Sequence, residues 1–208
     1  MRFKDFEALG KGLLPYLPGF VAKGPLTFAC PICVTLRGLC FEGSSFDASS
    51  FYIWVFFMPL CVPSDRLYFN FGKRLRRDGI DGWSGDAPDI KVALAKAVQE
   101  QAVPFLDLLD TPTKVASVLA ARLGESPTLH TRQAYAYVLA RIGDTAAALE
   151  VLDQLQESVD PSVPWQLKMK ERADLLREKI LEGPEASSAQ LAMWETETIK
   201  NVGLEKYR

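Results

Sequence analysis

The apolar positions change their period twice along the chain. Phe3, Phe6, Leu9, Leu13 and Leu14 recur at helical spacing, and the spacing predicts a short amphipathic helix that stops at the Pro15/Pro18 pair. Gly24-Pro25 then punctuates the entry to a region of β character. Residues 34–42 are rich in β-formers, with Val34 and Leu36 on one side and Leu39 and Phe41 on the other, as a bulge at Gly38 would produce. Residues 51–58, all apolar or aromatic, read as a central strand covered on both faces. Leu67, Phe69 and Phe71 alternate as the inward face of a further strand. The short connections between these runs favour antiparallel pairing, because a parallel crossover needs about a dozen residues.

After a glycine-rich stretch around Trp83 (Gly79, Gly82, Gly85), the period becomes helical and stays so. Asp86 with Pro88 just inside predicts a helix start, and Ile90, Leu94, Ala97, Val98 and Phe105 supply its buried stripe, with Pro104 kinking or ending it. Thr111-Pro112 opens the next helix, which closes at Gly124. Residues 131–158 predict a helical hairpin about Gly143-Asp144, and two more helices follow on either side of Gly183-Pro184. The fold class is therefore α+β: an N-terminal helix, an aromatic-rich antiparallel sheet of three to four strands, then a mostly helical C-terminal half. A soft boundary is expected near residue 110, separating a sheet region at 1–110 from a helical region at 111–208.

Within the hairpin, Tyr135, Ala136, Leu139, Ala148, Leu152 and Leu155 stand where a tetratricopeptide repeat places its packing residues, followed by Pro161. The resemblance covers one repeat only. No second copy lies at an offset of about 34 residues, and arrays need about three units to be stable. It implies a protein-binding groove lined by Tyr135 and Tyr137. The run from Phe51 through the Pro-Ser-Asp turn to Gly72 loosely resembles uncharacterised bacterial proteins, and that likeness assigns no residue a role.

Composition narrows the function classes. Of 208 residues, 48% are apolar and 24% charged, an average globular make-up, and 24 basic against 26 acidic residues leave a net charge of −2. Coating nucleic acid usually needs a basic excess, so that class is disfavoured. The N-terminus carries charges and no apolar core of a secretory signal, and the longest apolar run is short of the roughly 20 residues that span a bilayer. A cytoplasmic protein without a membrane partner is the expectation. Nothing in the pattern specifies an oligomeric state.

The chemical candidates are few. Cys30-Pro31-Ile32-Cys33 could chelate zinc, with Cys40 and Cys61 completing four thiolates; no other cofactor is expected from the sequence. Because strand, not helix, follows Cys33, a redox dithiol does not suit the motif. The bland alternative is four small buried thiols. Lys73-Arg74-Leu75-Arg76-Arg77 beside Trp83 forms a basic, aromatic-flanked cluster, and Arg74, Arg76, Arg77 and Trp83 are partner-contact candidates. The alternative is a solvated strand end whose charges pair with Asp78, Asp81 or Asp86. His130 is the single histidine, and no nucleophile elbow, phosphate loop or zincin motif is present. Carboxylates such as Glu42, Asp47 and Asp65 are not distinguishable from turn residues. These features favour a non-enzymatic protein-interaction module (adaptor or immunity-type) acting through the helical half. A small-ligand binder or enzyme with a pocket between sheet and helices comes second, and a zinc-stabilised or nucleic-acid-associated protein third.

Overall fold

The computed structural model describes residues 3–208, with side chains from residue 5 onward. The reading of Met1 and Arg2 as part of a charged N-terminus, and the side chain of Phe3, fall outside what is described. The chain divides into two compact units: residues 1–58, 68–109 and 206–208 form a sheet unit, and residues 59–67 and 110–205 a helical unit.

The sheet unit begins with α1 (Phe3–Leu13), which runs into a tighter turn at Leu14–Tyr16. Six strands follow among the described residues: β1 (Phe20–Lys23), β2 (Leu26–Ala29), β3 (Thr35–Gly43), β4 (Ser50–Pro59), β5 (Lys73–Arg74) and β6 (Trp83–Ser84). The sheet is wider than the three to four strands expected, because β1 and β2 are short strands joined across Gly24-Pro25 that leave little periodic signal. Order runs β1-β2-β3-β4-β5, with β6 also on β4, and the pairings of β1 with β2, β2 with β3, and β4 with β5 and β6 are antiparallel.

Gly38 is no bulge. The register Leu26↔Cys40, Thr27↔Leu39, Phe28↔Gly38 advances one residue for one. Leu36 and Leu39 point to opposite faces simply because both faces are covered there, with 1% and 0% exposure. What Gly38 provides is room: a Cβ would stand 2.2 Å from the Thr27 carbonyl oxygen and 2.8 Å from the Phe28 Cα.

Odd positions of β4 (Phe51, Ile53, Val55) join Leu39 and Phe41 of β3 in one core with Phe6 and Leu13 of α1. That face is roofed by a helix in three parts, α2 (Ile90–Ala97), a π turn (Val98–Ala102) and α3 (Val103–Asp107). Helical structure continues past Pro104 to Asp107, so the proline does not end it. It lacks the N–H for a regular bond, and the wider turn just before it absorbs the mismatch. The helix starts at Ile90 rather than near Asp86, with Asp89 at its N-cap. Arg37 Nη1 donates to the Leu106 carbonyl at 2.6 Å and fastens the end of this roof to β3.

The expected strand at residues 67–71 does not form. Phe69 packs on Trp54 and Phe56, and Phe71 on Phe57, from an irregular segment. The extended structure comes two residues later, at Lys73–Arg74.

In the helical unit, α4 (Pro112–Glu125), α5 (Leu129–Arg141), α6 (Thr145–Ser158), α7 (Pro164–Glu182) and α8 (Pro184–Asn201) follow the predicted order. Thr111, Thr128 and Asp144 side chains each accept a backbone N–H at the start of α4, α5 and α6. Helix α5 packs against α4, α6, α7 and α8 and buries residues on all sides. Its alanines 134, 136 and 140 permit that close approach. Arg172 Nη1 donates to the Pro63 carbonyl and Asn201 Nδ2 to the Ser64 carbonyl, which ties the 59–67 loop to α7 and α8. Among the described residues no helix is long and apolar enough to cross a membrane.

Candidate functional site: a cationic cleft at the sheet edge

The alternation of β4 decides where the surface can recognise anything. Its odd residues enter the core, while Tyr52 and Trp54 occupy the opposite face and are only half-buried. The strand is thus covered on both faces only from Val55 to Met58. Tyrosine and tryptophan suit such a place, since each has an apolar body and a polar handle.

Arg74 lies directly across from Trp54 in the β4–β5 register. Its Cζ sits 4.0 Å from the Tyr52 ring centroid and 5.0 Å from that of Trp54, while Trp54 also stacks on Phe69 at 5.5 Å. Both rings are within cation–π range of the guanidinium and help to hold it in place. Trp54 Nε1 donates to Glu42 Oε2 at 2.8 Å. Arg74 reaches the same Glu42 oxygen only at 3.6 Å and Asp81 at 4.0 Å, both longer than hydrogen bonds. Arg74 Nε is buried and has no hydrogen-bond partner. A planar five-donor group is therefore fixed in place with most of its hydrogen-bonding capacity unused.

Beyond Leu75, whose N–H still bonds Ile53 O at 2.8 Å, the chain leaves the sheet and returns at Trp83. Residues 76–81 are the excess between the two registers. They form a tight hairpin: Arg77 and Ile80 exchange both backbone bonds, and Asp78 (φ 49°) and Gly79 (φ 82°) between them take the two positive φ angles of a type I′ turn. The turn folds Asp81 back onto the arginines, with Arg76 Nε 2.7 Å from Asp81 Oδ1. Arg77 is held apart from this group by a two-pronged bond to Asp89 at 2.8 and 3.2 Å. From the π turn, Gln101 accepts the Arg76 N–H at 3.0 Å and donates to its carbonyl at 2.7 Å. A carboxamide thus occupies the backbone groups where a further strand would pair, which protects this edge from accretion.

Trp54, Lys73, Arg74, Arg76, Asp81 and Gln101 line a cleft of about 620 Å³. Three cations face one acid inside it, and Glu42 at the rim is a second. The charges of the 73–77 cluster are thus largely paired, as its bland reading expects, although Asp89 and Glu42 take part and Asp86 is not among the partners. Lys73 instead lies 5.4 Å from the Phe105 ring centroid. The arrangement can receive a carboxylate or phosphate through Lys73 and the two arginines.

The other sequence candidates lie elsewhere. Trp83 is a core residue, 2% exposed, whose Nε1 donates to Leu75 O at 3.1 Å. Tyr137 is fully buried in α5, stacked on Trp194 at 5.4 Å, and burial pushes its hydroxyl pKa up despite the hydrogen bond from Gln133. Tyr135 is half-buried on the same helix. All four cysteines are free thiols: Cys30 half-buried, Cys33 exposed, Cys40 and Cys61 buried. Burial, with Glu42 adding to it, pushes the Cys40 pKa up to about 12, and burial raises Cys61 as well. The Cys30 thiol points to the Tyr207 carbonyl at 3.8 Å. Among the described residues no three His, Cys, Asp or Glu side chains gather as metal ligands. Trp54 and Gln101 were not among the sequence candidates, and Asp81 was expected only as a charge partner of the basic cluster, a place it does take beside Arg76.

No protein-family model, curated protein or solved structure matches the chain.

Proposed function

We propose that this chain is a non-enzymatic, cytoplasmic protein-interaction module whose contact site is the cationic cleft at the β4–β5 edge, and that its partner presents an acidic segment there. The observation that carries the reading is Arg74: in cation–π contact with both Tyr52 and Trp54, it faces a 620 Å³ cleft with its nearest acids beyond hydrogen-bond distance. A pre-positioned guanidinium loses little side-chain entropy when a carboxylate docks, and that raises affinity without new area. Ile80, 65% exposed at the tip of the adjacent hairpin, offers an apolar contact next to the charged one, as a peptide with both residue types would use. Four free thiols suit a reducing compartment.

The helical hairpin at α5 and α6 supports this reading less than the cleft does, since of its two candidate tyrosines Tyr135 is half-buried and Tyr137 fully buried. Its tetratricopeptide-like small residues serve packing around a central helix, and Tyr137 lies inside that packing. A second reading, a small anionic ligand, is favoured by the cleft volume, which falls within the usual range of about 300–1,000 Å³ for such sites.

The test is affinity capture with the full chain beside its Arg74→Ala/Arg76→Ala variant, folding being checked by circular dichroism. A stoichiometric partner is expected on the wild type, with loss in the variant and at high salt. Capture of the same proteins by both chains would remove the cleft from the interaction. Absence of any partner, with binding of small polyanions instead, would transfer the site to the second reading.

A further inference from the structure

The 76–81 hairpin is an interruption in the edge strand that adds nothing to the core: Ile80 is 65% exposed and the Asp78 side chain 91%. Its two arms are fastened unequally. On the outgoing arm, Gln101 grips the Arg76 backbone from both sides and Asp89 grips the Arg77 guanidinium. On the returning arm, Asp81 is held by its side chain alone, through Arg76 at 2.7 Å and Arg74 at 4.0 Å, and glycine follows it. Arg74 is thus held by its ring contacts and the Arg76 backbone by Gln101, while the exposed Arg76 guanidinium and the Asp81 carboxylate hold each other, and that pairing is the contact an incoming group can exchange.

We infer that Asp81 is an internal stand-in for the partner's carboxylate, and that it sets the specificity and affinity threshold of the cleft by competing for Arg74 and Arg76. This rests on the proposed function above. Docking exchanges one carboxylate for another: the Asp81 side chain swings away about Gly82, and the incoming group takes its place on Arg76 while supplying Arg74 with the short bonds it lacks. Because Asp81 is only loosely engaged with Arg74, a ligand with two adjacent carboxylates gains over one with a single charge.

The experiment titrates a fluorescein-labelled hexaglutamate peptide into the full chain at low ionic strength, where exposed charge pairs are least screened, and reads anisotropy. Four variants accompany the wild type: Asp81→Asn, Asp78→Asn, Arg76→Ala and Lys73→Ala. Asp78→Asn removes the same charge from the same hairpin without touching Arg74 or Arg76, and so calibrates the general field. Asp81→Asn is expected to bind about threefold to fivefold tighter than wild type, the scale of a half-exposed ion pair. Asp78→Asn should stay close to wild type, and Arg76→Ala and Lys73→Ala should bind more weakly. If Asp78→Asn gains as much as Asp81→Asn, the gain is net charge and the stand-in role is overturned. If Asp81→Asn equals wild type while Arg76→Ala weakens, the stand-in role fails and the cleft as a binding site survives. If no protein binds the peptide, the proposed function falls, and this inference with it.

Discussion

Replacing Gly38 by alanine should be the most damaging single-methyl change in the sheet unit. The Cβ would meet the Thr27 carbonyl oxygen at 2.2 Å and the Phe28 Cα at 2.8 Å. Both are backbone atoms of β2, and Phe28 is the residue paired with Gly38 across the ladder. Rotamer adjustment gives no relief, so β2 must move away from β3 or β3 must shift. Either displaces Leu39 and Phe28, which are fully buried. Overpacking against side chains costs about 1–3 kcal/mol. With immovable backbone on one side and lost strand pairing on the other, about 3 kcal/mol or more is expected. At about 2–4 °C per kcal/mol for a chain of this size, that lowers Tm by about 6–12 °C. Urea unfolding followed by far-UV circular dichroism checks it, because the midpoint and slope report stability and compactness separately. A Gly38→Ala chain within about 1 kcal/mol of wild type would show that the two strands do not approach as described. It would also return Gly38 to the role of a bulge.

Two further predictions probe the same unit and the helical one. An alanine at Gly10 in α1 would place its Cβ 2.4 Å from Thr27 Oγ1, a buried hydroxyl with no hydrogen-bond partner. Gly10→Ala alone should cost about 1–2 kcal/mol despite better helix propensity, and Gly10→Ala/Thr27→Ala should be at least about 1 kcal/mol more stable than the two single effects added; additive values would refute the contact. His130 stacks on Trp165 at 5.2 Å, and water excluded from that side of the ring lowers its pKa from the usual 6.5 although the residue stays exposed on the other. The unfolded chain then binds the proton more readily, so stability is lost as pH falls from about 6.5 toward the lowered folded value. His130→Phe should keep the stacking and flatten that part of the pH-stability curve, while an unchanged slope in thermal melts between about pH 5 and 7 would exclude the histidine as its source.

How far these features were legible follows from which signals are local. The α+β order was readable because Thr111-Pro112 opens α4, Gly183-Pro184 separates α7 from α8, and β4 is a dense run of β-formers. The run at 67–71 misled because period-two spacing reports which way rings point, not whether the chain is paired. Leu67, Phe69 and Phe71 alternate, yet the last two pack their rings on β4 from an irregular segment. Tyr137 misled for a related reason, since a helix buried on all sides has no polar face to mark what is inside. Position 52 and position 54 carried the better clue: in the run 51–58, otherwise Phe, Ile, Val and Met, the two residues with polar handles are the two on the open face. The rest of the cleft depends on long-range placement that no single-sequence period records. Asp81 reaches Arg76 only because Asp78-Gly79 reverses the chain, and Gln101 reaches the same arginine's backbone only from its place in a π turn twenty-five residues on. The residues that build the cleft are thus largely those the core leaves unused. That separation has a physical consequence: substitutions at Lys73, Arg76 and Asp81 should move binding with little effect on stability, whereas Trp54 and Arg74 pack on one another as well as line the cleft, so there the two cannot be varied apart.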